Sequence, residues 1–135
     1  MTYAVAAPIA LFGSLRSAYA EIHTRLAAAL RSLGAAVTLA PYRPTVRPSD
    51  GPSSCFAKPA GGEILVAGRK LVGSAQVRRG NSFLQHGSIL LDGNQPGGAH
   101  ETTLTAVLRR SVSFADVASA IIATWKGSDI ASLAP

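Results

Sequence analysis

Four features that could do chemistry fall in one window of the chain. Cys55 ends a Pro-rich stretch, and Lys70 opens an expected strand. Gly73-Ser74-Ala75-Gln76 follows on that strand, and Gln85-His86-Gly87-Ser88 lies on the next one. A cysteine thiolate can take an acyl group as a thioester, which a lysine amine then attacks. A fixed cation such as Lys70 stabilises the charge that develops on the acyl oxygen. His86 can orient or deprotonate a thiol or an amine. Read together, these residues are expected to supply the reactive half of an acyl-transfer site, with Lys70 as its leading member.

Each residue also has a plainer reading. A lone cysteine is commonly a small buried hydrophobe. A lysine at the start of a strand is commonly a solvated edge residue, and a histidine on an antiparallel strand is commonly structural. Gly73-Ser74-Ala75 leaves a shallow floor, suited to a ligand or to a close backbone contact. Gly87-Ser88, alongside, repeats the device and favours a ligand channel. Arg69, next to Lys70, adds positive potential that favours anions.

The elements that must position these residues follow from pattern. Tyr3 to Ala7 reads as a short strand stopped by Pro8. Ser14 is a helix N-cap candidate. Leu15, Tyr19, Ile22, Leu26, Ala29, Leu30 and Leu33 then recur at helical spacing, and Gly34 sits at the C-terminal cap position. Val37 to Ala40 reads as a strand. Five breakers between Pro41 and Ser54 make that stretch an ordered loop. Glu63 to Val66 and Lys70 to Arg78 flank Ala67-Gly68-Arg69 as a hairpin, and Arg79-Gly80-Asn81 turns into a strand from Ser82 to Leu91. Glu101 to Leu108 reads as a short helix. Ser113 and Asp116 start a last helix whose apolar face is Phe114, Val117, Ala118, Ile121, Ile122 and Trp125. The predicted class is α+β: a mainly antiparallel sheet with helices packed on one side.

Bulk properties narrow the function. The 135 residues are 47% hydrophobic and 15% charged, enough for one folded domain with a modest core. The net charge of +6 favours an anionic partner. Few aromatics and no dense basic run argue against nucleic acid as that partner. A single cysteine excludes an internal disulfide. His23, His86 and His100 are too scattered to suggest a metal site. No apolar run has transmembrane length, and the first residues lack the cationic start of a secretory signal. The expectation is a cytoplasmic protein with no membrane partner.

Three strings carry a family resemblance: Cys55-Phe56-Ala57-Lys58-Pro59; Glu63-Ile64-Leu65-Val66-Ala67-Gly68-Arg69-Lys70-Leu71-Val72-Gly73-Ser74-Ala75-Gln76; and Leu84-Gln85-His86-Gly87-Ser88-Ile89-Leu90-Leu91. They resemble the biotin/lipoate protein ligase superfamily, nearest to lipoate–protein ligases and cysteine-dependent octanoyl transferases. The resemblance implies protein lipoylation. Lys70 would contact the acyl carbonyl, and Cys55 would accept an octanoyl group from acyl carrier protein. Gly73, Ser74, Ala75, Gln76, His86, Gly87 and Ser88 would bind substrate. A lysine of a lipoyl carrier, such as glycine cleavage H protein or a dehydrogenase E2 domain, would then receive the chain. No tightly bound cofactor is expected. The alternatives are an ATP-dependent ligase using Mg, lipoate and an acyl-adenylate, or a non-catalytic accessory chain. The family's upstream R-R-x-x-G-G segment and G-x-x-x-x-H strand have no counterpart here. The expectation is therefore a single, N-terminally incomplete catalytic domain over residues 1–135: a truncated gene product, a fragment, or half of a split enzyme that needs a complementary subunit. Lys70→Ala is expected to abolish transfer and leave the fold intact.

Overall fold

A computed structural model describes residues 1–41, 62–93 and 98–126. Five strands form one antiparallel sheet: β1 (Thr2–Pro8), β2 (Thr38–Leu39), β3 (Ile64–Val66), β4 (Arg69–Arg79) and β5 (Ser82–Ile89), in the order β1-β5-β4-β3-β2. Among the described residues three α-helices accompany it: α1 (Leu15–Ser32), α2 (Leu104–Leu108) and α3 (Phe114–Lys126). The α+β class and the antiparallel sheet are as the sequence predicts.

Local signals explain most boundaries. The Ser14 side chain accepts from the Ser17 amide at 3.0 Å, so α1 starts where its cap stands. Gly34, with φ +104°, follows its end, a conformation that costs glycine little. The β3–β4 hairpin turns through Ala67 and Gly68, both at positive φ, as a two-residue turn of primed type requires. At α3 the Ser113 hydroxyl accepts from the Asp116 amide at 3.0 Å, and the Asp116 carboxylate accepts from the Ser113 amide at 3.2 Å. That reciprocal pair is the expected capping box. It holds the Asp116 carboxyl below its usual range, chiefly through the Ser113 hydroxyl.

Two expectations need correction. The helix expected from Glu101 begins only at Leu104. Residues 101 and 102 instead run beside β4, where the Thr102 amide donates to the Lys70 carbonyl at 2.9 Å, and Thr103 becomes the cap. The apolar face of α3 is also only partly covered. Val117 is buried, but Phe114 is 62% exposed and Ile122 52% exposed. Helix α3 packs mainly on α1, where Arg25 stacks on Trp125 at 5.4 Å and donates to the Thr124 carbonyl at 3.0 Å.

The core lies between the sheet and α1. Ile22, Leu26 and Leu30 are fully buried against Ile64, Val72, Phe83 and Ile89. Each such side chain contributes about 1.5–3 kcal/mol by leaving water. Strand β5 alternates strictly. Phe83, Gln85, Gly87 and Ile89 are buried, while Ser82, Leu84, His86 and Ser88 are exposed.

Candidate active site

The register of β4 against β5 decides which predicted residues meet. Gly73 pairs with Ser88, Ser74 with Gly87, and Ala75 with His86. Together with Lys70 they line a small cavity of about 170 Å³. The structure thus gathers seven of the predicted residues at one place: Lys70, Gly73, Ser74, Ala75, His86, Gly87 and Ser88. Gln76 is not among them. It pairs with Gln85, and its Nε2 donates to the Leu15 carbonyl at 3.1 Å and to Gln85 Oε1 at 3.2 Å. Cys55 lies outside the described residues.

Gly87 is sterically required. A Cβ there would collide with the Gly73 carbonyl oxygen, and would stand 2.7 Å from both Ser74 Oγ and Tyr3 Cε1. The pair Gly73-Ser74 opposite Gly87 therefore lets backbone and side chains come closer than any larger residue allows.

Lys70 departs from the picture of a solvated strand-edge cation. It sits on an inner strand and is only 6% exposed. Its Nζ lies 2.8 Å from Oε1 of Glu63, itself 2% exposed. Arg69 is exposed and donates its Nε to the Ala99 carbonyl at 3.1 Å. The charge placed against Lys70 is thus an acid seven positions upstream, not the adjacent arginine. Taking either partner of a buried pair away leaves an uncompensated charge, at a cost of about 3–5 kcal/mol. The expectation that Lys70→Ala leaves the fold intact is revised accordingly.

Behind the cavity wall runs a chain of buried polar groups. His23, fully buried on α1, lies 2.6 Å by Nδ1 from the Gly62 carbonyl and 2.8 Å by Nε2 from Ser74 Oγ. Tyr3 Oη is 2.5 Å from Ser74 Oγ, and Gln85 Nε2 donates to Tyr3 Oη at 3.1 Å. The Tyr19 ring tilts against His23 with centroids 4.2 Å apart. Burial lowers the His23 pKa; the Gly62 carbonyl works against this, and the nearby Lys70 charge adds to it. Burial raises both tyrosines, with Glu63 adding to the effect at Tyr19. Among the described residues, no buried side-chain nitrogen or oxygen lacks a partner.

Glu63, His23, Tyr3 and Tyr19 did not stand out as site residues in the sequence. One signal was present for His23: a polar residue wedged between Ile22 and Leu26 on the apolar face of α1. Nothing local marks Glu63 as Lys70's partner. Among the described residues no group of three or more metal-ligating side chains occurs, and no helix is long and apolar enough to cross a membrane.

Comparisons with known proteins agree on the family. The profile of the Biotin/lipoate A/B protein ligase family matches residues 2–94. Octanoyltransferase LipM of Moorella thermoacetica is 45% identical over 95 residues, covering 67% of this chain and 34% of the relative. Octanoyltransferase LipM of Symbiobacterium thermophilum is 35% identical over 134 residues, covering 82% of this chain and 49% of the relative. The chain thus spans about a third to a half of the length of these relatives. Among solved structures, lipoate-protein ligase A bound with ATP superposes with a TM-score of 0.65 at 15% identity, over 93% of this chain and 50% of that one. The apo biotin protein ligase of Aquifex aeolicus gives 0.67 at 9% identity, again over 93% and 50%. At such identities the likeness is one of fold. The glycine-floored cavity beside a buried lysine is therefore carried by a chain that belongs to the biotin/lipoate A/B protein ligase family.

Proposed function

We propose that this chain serves protein lipoylation, moving an octanoyl or lipoyl group to a lysine amine of a lipoyl carrier protein. One observation carries the reading. Lys70, whose ammonium is held by Glu63, is among the residues lining the cavity floored by Gly73 and Gly87. An ammonium has three donors, so pairing with a carboxylate is compatible with a second acceptor, such as an acyl oxygen. Fixed in a water-poor site, such a donor lowers the barrier as negative charge builds on that oxygen, by about 2.7–4 kcal/mol. His86, Ser88 and Ala75 would line the approach, with Gln76 supporting the wall from behind.

The similarity to octanoyltransferases favours a thioester donor, with acyl carrier protein as its source. Cys55 would hold the acyl group between the two steps. The +6 charge suits an acidic donor protein. The complete reaction also calls for the parts of the domain that the longer relatives carry, in the same polypeptide or in a complementary subunit.

The test is intact-mass and peptide mass spectrometry after incubation with octanoyl-acyl carrier protein. An octanoyl adduct on Cys55 that a lipoyl carrier then removes is the expected result. Full transfer by Cys55→Ser would reject the thioester, and full transfer by a folded protein lacking the Lys70 amine would reject the reading as a whole.

A further inference from the structure

Ser74 belongs to two structures at once: the wall of the small cavity and the hydrogen-bond chain beside it. That chain has a fixed direction. The Gly62 carbonyl can only accept, so His23 Nδ1 carries the proton of their 2.6 Å bond. Burial and the nearby Lys70 charge both disfavour an imidazolium, so the ring is neutral and Nε2 accepts. The Ser74 hydroxyl therefore donates to Nε2 across 2.8 Å. A hydroxyl has a single proton, so Tyr3 is the donor in its 2.5 Å pair with Ser74. Gln85 donates to Tyr3 in turn. Ser74 thus stands in the cavity wall with its proton already committed, and toward a ligand it can only accept.

We propose that His23 is a positioning residue that keeps Ser74 an acceptor, so that Ser74 receives an N–H of the amine attacking the acyl group held by Lys70. The inference rests on the acyl-transfer reading above and gives that site a polarity: Lys70 donates to the electrophile's oxygen, and Ser74 accepts from the nucleophile. In the reaction the amine nitrogen bonds to the acyl carbon, the carbon–sulfur bond of the thioester breaks, and the proton lost by nitrogen ends on the departing sulfur. Ser74 and His23 orient the amine and undergo no net change. A primary amine, delivered with its N–H toward Ser74, is the acceptor class this arrangement fits.

Two measurements on the full chain test the proposal. In long-range proton–nitrogen spectra with 15N-histidine, His23 is expected to carry its proton on Nδ1 alone. It should stay so at pH 6.5, the ordinary pKa of a histidine. A proton on Nε2 at neutral pH overturns the proposal, and this readout needs no variant. The second measurement is transfer from octanoyl-pantetheine to a lysine-bearing lipoyl domain. Ser74→Ala removes the acceptor, and His23→Asn keeps a donor for Gly62 but releases the Ser74 proton. Each is expected to raise the KM for the lipoyl domain at least tenfold and to leave the KM for the thioester within twofold. Equal losses on both substrates, or none, in folded variants overturn this inference alone. No transfer by the wild-type chain, supplied with the parts of the domain that the longer relatives carry, overturns the acyl-transfer reading, and this inference with it.

Discussion

Strand β4 begins with Arg69-Lys70 and ends with Arg78-Arg79, two basic pairs that meet opposite fates. At the first end β3 pairs along one edge, residues 101 and 102 run beside Lys70, and Glu63 supplies a buried counter-charge. At the far end, among the described residues, only β5 pairs with the strand, Arg78 with Phe83 and Arg79 with Ser82, and both arginines are exposed. The Arg78 Nε merely reaches back to the Gly80 carbonyl at 2.8 Å. Composition does not separate the two ends. What separates them is how much of the sheet and its flanking segments closes over each.

The comparison breaks most readily at the buried end. Glu63→Ala leaves Lys70 without its carboxylate and is expected to cost about 3–5 kcal/mol in urea unfolding. A loss under about 1 kcal/mol would mean that the pair is solvated in solution. Gly87→Ala drives a methyl group into the Gly73 carbonyl and toward Tyr3. It is expected to cost about 1–3 kcal/mol. An unperturbed melting curve for that variant would show that the two strands are not so tightly apposed.

A pH series sharpens the same contrast. His23 has a folded pKa below its unfolded value of 6.5. The unfolded chain therefore binds the proton more readily, and the His23 contribution to stability is complete above pH 6.5 and lost as pH falls through the folded pKa. Urea midpoints are expected to decline below that pH, and less so in a folded His23→Asn variant. The exposed end should hardly respond: Arg79→Ala is expected to change stability by no more than about 0.5 kcal/mol.

Much of this was legible in the sequence where the signal is local. Ser14, the Ser113–Asp116 pair, Gly34 and the turn expected at Ala67-Gly68-Arg69 act within a few residues of themselves, and each marks its boundary, although Arg69 already pairs with Val66 in β4. The strings around Lys70, Gly73 and His86 carry the family resemblance, and the β4–β5 register then brings them together. What was not legible depends on register and burial. Glu63 reaches Lys70 across a hairpin that contains an irregularity between Ile64 and Leu65. His23 reaches Ser74 only because α1 lies on that face of the sheet. Sequence adjacency groups Gln76 with the cavity residues, whereas its side chain bonds Gln85 and the Leu15 carbonyl, one register position beyond the Ala75–His86 pair. The exposure of Phe114 and Ile122 has a similar origin. The apolar periodicity of α3 is wider than the surface that α1 offers it.

The central claim is that a cation at position 70 stabilises the acyl oxygen, and it is tested most directly by removing the charge without stranding its partner. Lys70→Met combined with Glu63→Gln removes both charges from the buried pair, so folding can be checked by thermal melting alongside the rate of octanoyl transfer to a lipoyl domain. A folded double variant that transfers at least a hundredfold more slowly than the wild type is the predicted result. A double variant that transfers at the wild-type rate would contradict it.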